Sequence, residues 1–267
     1  ALSPAIRREM VAVGASNQYP DHFIERLHAV WGEGFLSPGG PDEVHQILDG
    51  VDLFDSTVLD IGFGTAGPAI VMARDFEVRR VVGIDVEESL HRRATQLVDA
   101  AGLSAQVDLQ LVKPGPLPFE DASFDTVFSK DSIIHIPDKE ALFCEILRVL
   151  KPGGIFAASD WLHGEGPEAD AALAHMGSHL HFEMATSHEM ERILRDVGFA
   201  EVQTVDRNAW YSEVVDEELA TLGSVYDDLV AKVGREIVDP WLEVRRGLAK
   251  AVQGGGLRPT HLRARKP

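Results

Sequence analysis

The stretch VLDIGFGTAG, Val58 to Gly67, constrains the fold of this chain more than any other. Val58, Leu59 and Ile61 surround a single acid, Asp60, in a short apolar run of the kind that forms a buried strand. Gly62 and Gly64 follow at once, then Thr65, Ala66 and Gly67, and AIVMAR continues with helical spacing. The pattern predicts strand, glycine turn, helix. Glycines at such a turn let the backbone take positive φ and let a ligand approach the main chain closely. The helix start that follows offers unpaired N–H groups.

Structural glycines alone would give the same turn, so the flanking acids matter. Asp60 stands at the carboxyl end of the strand, before the glycines. Asp85 ends the next apolar run, VVGID, where an acid can accept two hydrogen bonds from ribose hydroxyls. A phosphate loop fits poorly: no Gly-Lys-Ser/Thr follows, and Asp60 would repel a pyrophosphate. Gly62, Gly64 and Gly67 do match the dinucleotide spacing Gly-x-Gly-x-x-Gly, so only the acid before the glycines speaks against a pyrophosphate there. An acid-flanked turn suits a cationic nucleoside, and S-adenosylmethionine is one. The expectation is that Asp60 lies at its methionine amino group, that Asp85 takes the ribose, and that Gly62 and Gly64 give close backbone approach.

Around this turn the chain alternates strand and helix, which means a mostly parallel sheet with helices on both faces. Strands are predicted at 57–61, 80–85, 106–112, 124–129, 154–160, 200–206 and 257–265, and helices at 67–76, 88–101, 138–150 and 187–197. Residues 1–55 read as an N-terminal helical cap contributing to the site. In it, Phe23, Leu27, Val30 and Trp31 have an amphipathic period, and Pro41 opens a second helix. The core then runs over 56–267, with helical lid segments at 161–186 and 212–252. With 267 residues, one α/β domain with such additions is a natural size.

A net charge of −18 argues against nucleic acid or an anionic membrane as general partners, since neither polyanion would be attracted. A single cysteine, Cys144, excludes a disulfide framework and fits a cytoplasmic location. No run is long and apolar enough to read as a membrane span or signal peptide. The oligomeric state has no signature in the sequence.

Taken together, VLDIGFGTAG, VVGIDV, LPFEDASFDTVFS and LRVLKPGG resemble the class I S-adenosylmethionine-dependent methyltransferases over residues 56–206. The resemblance implies a Rossmann-like seven-stranded sheet with its last strand antiparallel, and S-adenosyl-L-methionine as methyl donor. Val86, beside Asp85, then joins the cofactor contacts. NQY (17–19), GEGFLSPGG (32–40) and SKDSIIHI (129–136) are similar to the phosphoethanolamine N-methyltransferases. That narrower resemblance implies that Tyr19 and His135 form a dyad closing over the substrate, and that Asp131 faces the substrate amine. It also implies that Gln18, Phe35, Leu36 and Ser37 line the ligand site, and that Ser129 and Lys130 run beside the cofactor.

The chain departs from that family at the substrate's phosphate end. The family's arginine, lysine and tyrosines fall near Leu180, Val244, and Leu27, Trp161, Met176 and Phe182, and leucine cannot clamp a dianion. At Lys113, where the class often has an aspartate for the adenine amino group, this chain has a donor-only side chain. Apolar contact or a backbone carbonyl would then hold adenine.

Three further readings concern individual side chains. Asp131 and His135 are four residues apart after a strand end, so one helical turn would put them on one face. Trp161 follows a strand end and could contact a methylated cation. His175, His179 and His181 form H-x-x-x-H-x-H, which could bind a metal or give polar lining to the substrate pocket, with His181 receiving a carboxylate. The expected function is methylation of a small polar amine or zwitterion, with nitrogen as acceptor and no metal. The rivals are S-methylation of a thioether amino acid, a non-catalytic adenosylmethionine-binding protein, and a metal-dependent enzyme built on the three histidines.

Overall fold

The computed structural model describes Tyr19, residues 21–176 and residues 182–267. Seven strands form one sheet: β1 (Thr57–Ile61), β2 (Arg80–Asp85), β3 (Val107–Leu111), β4 (Phe124–Lys130), β5 (Leu150–His163), β6 (Ala200–Asp206) and β7 (Leu257–Arg265). Their spatial order is β3-β2-β1-β4-β5-β7-β6. The first five strands run parallel, and β7 is antiparallel to both neighbours, β5 and β6. The order reverses beside β1, between β2 and β4. A crevice opens at such a reversal beyond the carboxyl ends of the strands. Asp60, Asp85 and Asp131 all stand at or next to those ends.

Helices cover both faces, as the alternation predicts. One face carries α2 (Gly40–Ile47), α3 (Gly67–Asp75) and α4 (Glu88–Ala100); Val44, Ile47, Met72 and Val98 pack there against Val58, Val81 and Phe128 of the sheet. The other carries α5 (Lys139–Val149) and α7 (Ser187–Val197), whose Phe143, Ile146, Met190 and Leu194 meet Phe156 and Leu262. Local signals explain the boundaries. Pro68 sits in the first turn of α3, and α7 starts with a reciprocal cap between Thr186 and Glu189 and ends at left-handed Gly198.

Helices α1 (Asp21–Trp31), α6 (Pro167–Leu173), α8 (Asn208–Ser224), α9 (Tyr226–Val233) and α10 (Arg235–Gln253) lie outside this repeat. The last three form the helical insertion before the final strand. One boundary differs from expectation. β5 runs from 150 to 163 rather than 154 to 160, because β7 pairs with it from Ile155 to His163. Trp161 is therefore inside the strand, not after it, and the first residues of the expected 161–186 segment belong to the sheet. Among the described residues no helix is long and apolar enough to cross a membrane.

Candidate active site

The glycine turn has the backbone its sequence demands. Gly62 and Gly64 have φ of 75° and 56°, and Ala66 just beyond is also left-handed at 67°. Gly67 lies against the loop after α1: its N–H donates to the Gly34 carbonyl at 2.9 Å, and an added Cβ would lie 2.7 Å from the Gly34 carbonyl carbon. Leu36 comes down over Gly64, and His28 Nε2 lies 3.0 Å from Thr65 Oγ1. The N-terminal segment thus roofs the turn. Phe35 is packed in the core with Val44 and Met72, its ring reaching Gly67 from below, while Leu36 lies over Gly64 and Ser37 meets Lys130.

Two carboxylates flank this turn. Asp60 is 1% exposed, and its Oδ2 has no hydrogen-bond partner among the described residues. Burial first, and the neighbouring Asp85 second, push its carboxyl up to about 8. Asp85 accepts from the Gly64 N–H at 3.0 Å and the Glu87 N–H at 3.0 Å. Burial raises its carboxyl too, only partly offset by those backbone donors. A pair of buried acids with an orphaned oxygen needs a cation to complete it. Beyond Asp85, Val86 is 51% exposed and Leu111, its register neighbour's strand end, is 47% exposed. They offer an apolar seat at the place where Lys113 supplies no acceptor.

The acid pair has a measurable consequence. The folded-state carboxyl of Asp60 is raised, so the folded protein binds more protons than the unfolded chain from about pH 4 to about pH 8. Stability falls as pH rises through that window. Asp60→Asn removes the penalty: its unfolding free energy should exceed the parent's by a few kcal/mol at pH 8.5 and converge with it near pH 4, read from urea unfolding curves.

The second half of the site stands at the tip of β4. Lys130 Nζ donates to Ser37 Oγ at 2.5 Å, to the Pro38 carbonyl at 2.9 Å and to Asp131 Oδ2 at 2.9 Å. Ser159 Oγ donates to Asp131 Oδ1 at 2.8 Å. Burial alone would raise the Asp131 carboxyl, but the Lys130 charge and the hydrogen bonds from Ser37, Lys130 and Ser159 hold it below the usual carboxylate range. It is therefore an ionised acid in a nearly closed setting. Its φ of 56° turns the chain out of the strand, so Asp131 and His135 do not share one helical face as their spacing suggested. Instead His135 ends a 3₁₀ turn, Ile133–His135.

That turn is fastened from three sides. Asp160 Oδ1 accepts from the Ile134 N–H at 3.0 Å, Lys139 Nζ donates to the Ile133 and Ile136 carbonyls, and the Glu183 N–H donates to the Ile134 carbonyl. The His135 ring is open to water on one side and meets Phe182 edge-on at 5.5 Å. Crowding on its other sides and the Lys139 charge pull its pKa below the usual imidazole value. The Tyr19 ring lies tilted against that of Phe23, 5.9 Å between centroids, and burial with the Asp85 and Glu87 charges raises its hydroxyl to about 12. It stands on the Asp85 side, and no hydrogen bond joins it to His135 among the described residues. Ser129 is fully buried, its hydroxyl donating to the Ile61 carbonyl at 2.9 Å, so only its backbone can face a ligand.

Comparison with known proteins decides the domain's class. Residues 59–158 match the methyltransferase domain model. Phosphoethanolamine N-methyltransferase 3 of Arabidopsis thaliana is 34% identical over 82% of this chain and 44% of its own length. Phosphoethanolamine N-methyltransferase 2 of Caenorhabditis elegans is 34% identical over 75% of this chain and 46% of its own. Phosphoethanolamine N-methyltransferase 2 of Haemonchus contortus, solved with phosphomonomethylethanolamine and S-adenosylhomocysteine, superposes with a TM-score of 0.85 at 26% identity, covering 97% of this chain and 60% of that one. Residues 59–158 form a methyltransferase domain of the class I, S-adenosylmethionine-dependent kind. The chain spans less than half the length of the two curated relatives just named.

The methyl donor of this class is S-adenosyl-L-methionine, and the turn of this methyltransferase fits it. A buried carboxylate at Asp60 suits a cationic group, and the positive-φ Gly62 and Gly64 let a ligand approach the backbone. Of the residues expected around the phosphate end, Val244 is exposed while its neighbour Arg245 is buried and tied to Glu218, with Tyr211 Oη 3.3 Å away. Gln18, Leu180, His179 and His181 lie outside the described residues. Among the described residues no group of three or more metal-ligating side chains comes together. Asp160, Lys139, Glu43 and His261 escaped the sequence reading. The SDW run containing Asp160 places an acid inside an otherwise apolar strand, a signal that could have drawn attention.

Proposed function

We propose that this methyltransferase acts on the nitrogen of a small polar amine or zwitterionic metabolite, with S-adenosyl-L-methionine as donor. One observation carries the reading: Asp131 is a buried, ionised carboxylate at the tip of β4, next to the strand tip that holds the cofactor turn. When bound, the cofactor supplies an electrophilic methyl on a cationic sulfur. Asp131 draws in the ammonium form of the amine and orients it. His135, held largely neutral by its surroundings, takes the proton that must leave before nitrogen can attack. Tyr19 shields the reacting centre from the Asp85 side. Ser37 and Lys130 fix Asp131, and Leu36 and Ser37 tie the N-terminal cap over both halves. Much of the rate then comes from holding nitrogen, carbon and sulfur in line away from water.

The substrate is a small soluble molecule, and the site of action is the cytosol, in keeping with one unpaired and exposed cysteine, Cys144. The test is incubation with methyl-labelled adenosylmethionine and a panel of amines, phosphobases and thioether amino acids, reading label by mass. Nitrogen products are expected. Their rate should fall as pH drops and the amine protonates; a flat profile with a thioether product would contradict the reading.

A further inference from the structure

Behind Asp131 the site continues into a narrow pocket lined by Asp131, Ser159, Trp161, Tyr211, Glu43 and His261, among others. Ser159 and His261 are register partners on antiparallel β5 and β7, so their side chains share one face of the sheet. Ser159 holds Asp131; one strand across, roughly 5 Å away, His261 Nε2 lies 2.6 Å from Glu43 Oε1. Glu43 also accepts from Arg207 Nη2 at 2.9 Å. The second ring nitrogen of His261, Nδ1, makes no hydrogen bond among the described residues.

Charge and size decide what such a pocket accepts. Lys130 offsets Asp131, while one carboxylate, Glu43, serves two basic groups, Arg207 and His261. Arg245, paired with Glu218 through Nη2, lies 3.3 Å from the Tyr211 hydroxyl and does not line this pocket. With His261 neutral the group Lys130, Asp131, Glu43, Arg207 and His261 sums to zero, and with it protonated to +1. A carboxylate only accepts, so His261 can donate to Glu43 and to a ligand carboxylate together only with both ring nitrogens protonated; the group then sums to +1, which the carboxylate end of a zwitterion offsets while its ammonium faces Asp131. A phosphate dianion finds no unpaired ammonium or guanidinium in this lining among the described residues, and a simple amine leaves His261 Nδ1 without a partner. The space is about 10 Å³, close to the ~10–15 Å³ that one water-sized oxygen needs. One carboxylate oxygen fits it.

We infer that His261, held by Glu43, receives a carboxylate oxygen of a substrate whose nitrogen lies at Asp131, so that the methyl acceptor is a small amino-acid-type zwitterion. This rests on the nitrogen reading above and names its substrate class. His261 acts on the far end of the substrate and sets specificity.

The test uses the full chain with methyl-labelled adenosylmethionine and three acceptors of similar size: glycine, ethanolamine and phosphoethanolamine. The parent protein should favour glycine by about tenfold or more in kcat/KM, the worth of one charge-assisted hydrogen bond. His261→Ala should raise KM for glycine about tenfold, leave kcat within about threefold, and leave ethanolamine unchanged. His261→Gln, which keeps a nitrogen donor, should restore part of the loss. A parent protein that favours ethanolamine or phosphoethanolamine overturns the inference while sparing the nitrogen reading. So does a His261→Ala variant that lowers kcat for every acceptor alike. Should His261→Ala not fold, the parent ranking and the Gln variant decide. Absence of label on any amine overturns the nitrogen reading itself.

Discussion

Asp131→Asn should lower kcat/KM for an amine acceptor by about 100-fold, the ~3 kcal/mol that a charge-assisted hydrogen bond to a carboxylate can be worth. Cofactor affinity should stay within about threefold, because the side chain lies beyond the glycine turn. The Asn form is chosen over Ala for a physical reason. Lys130 is 3% exposed and relies on Asp131 for its counter-charge; it keeps Ser37 and Pro38 in either variant, but removing the whole side chain would also open a void beside a buried ammonium. Asn keeps its carbonyl oxygen as an acceptor for Lys130, and the Ser159 hydroxyl can turn to accept from its amide. Steady-state rates with labelled cofactor, beside a calorimetric titration of the cofactor, separate the two effects. A variant whose rates match the parent's would remove Asp131 from the substrate site. One that loses cofactor affinity to the same degree as rate would make it a structural part of the turn.

The second large effect is expected at Asp85→Ala. Its carboxylate ends β2, faces the turn, and accepts backbone N–H groups from Gly64 and Glu87. Those donors occupy one lone pair on each oxygen and leave others for two ribose hydroxyls. Truncation removes both hydroxyl contacts and loosens the turn at Gly64. Cofactor affinity should fall about 100-fold or more, at ~1.4 kcal/mol for each factor of ten. Far-ultraviolet circular dichroism should be unchanged, since the core beneath Asp85 is untouched. The variant should also lower the Asp60 carboxyl, because the neighbouring charge that helps raise it is gone. Affinity within about twofold of the parent's would mean that Asp85 serves the turn alone.

Much of this was legible in the sequence, and the reasons are local. The sheet could be read because its strands β1 and β2 are short, mostly apolar runs, and because Gly62, Gly64 and Gly198 stand where the backbone needs positive φ. Asp60 and Asp85 could be placed because a strand fixes where its last residue points. Asp131 was found through its family patch, yet its geometry was not: a left-handed aspartate breaks the helical spacing to His135, and spacing rules assume a regular backbone. Phe35 reads like any pocket aromatic; only packing against Val44, Ala66 and Met72 makes it core. Glu43 and His261 are 218 residues apart and meet through the pairing of β5 with β7, which no local pattern announces. Asp160 is hidden for a related reason. Burial and the charge of Asp131 raise its carboxyl, and Asp131 comes from a different strand.

The most direct measurement is a calorimetric titration of the protein with S-adenosyl-L-methionine in buffers of different ionisation heat, from pH 6 to pH 9. In the free protein Asp60 carries a proton below about pH 8 and must lose it to face an ammonium group. The account therefore expects saturable binding that tightens as pH rises toward about 8, with nearly one proton released per cofactor at pH 7 and none above pH 9. Asp60→Asn should bind more weakly and release no proton. Absence of any binding heat, or binding whose proton release is the same in the parent and in Asp60→Asn, would contradict a site built on two buried carboxylates gripping a cationic nucleoside.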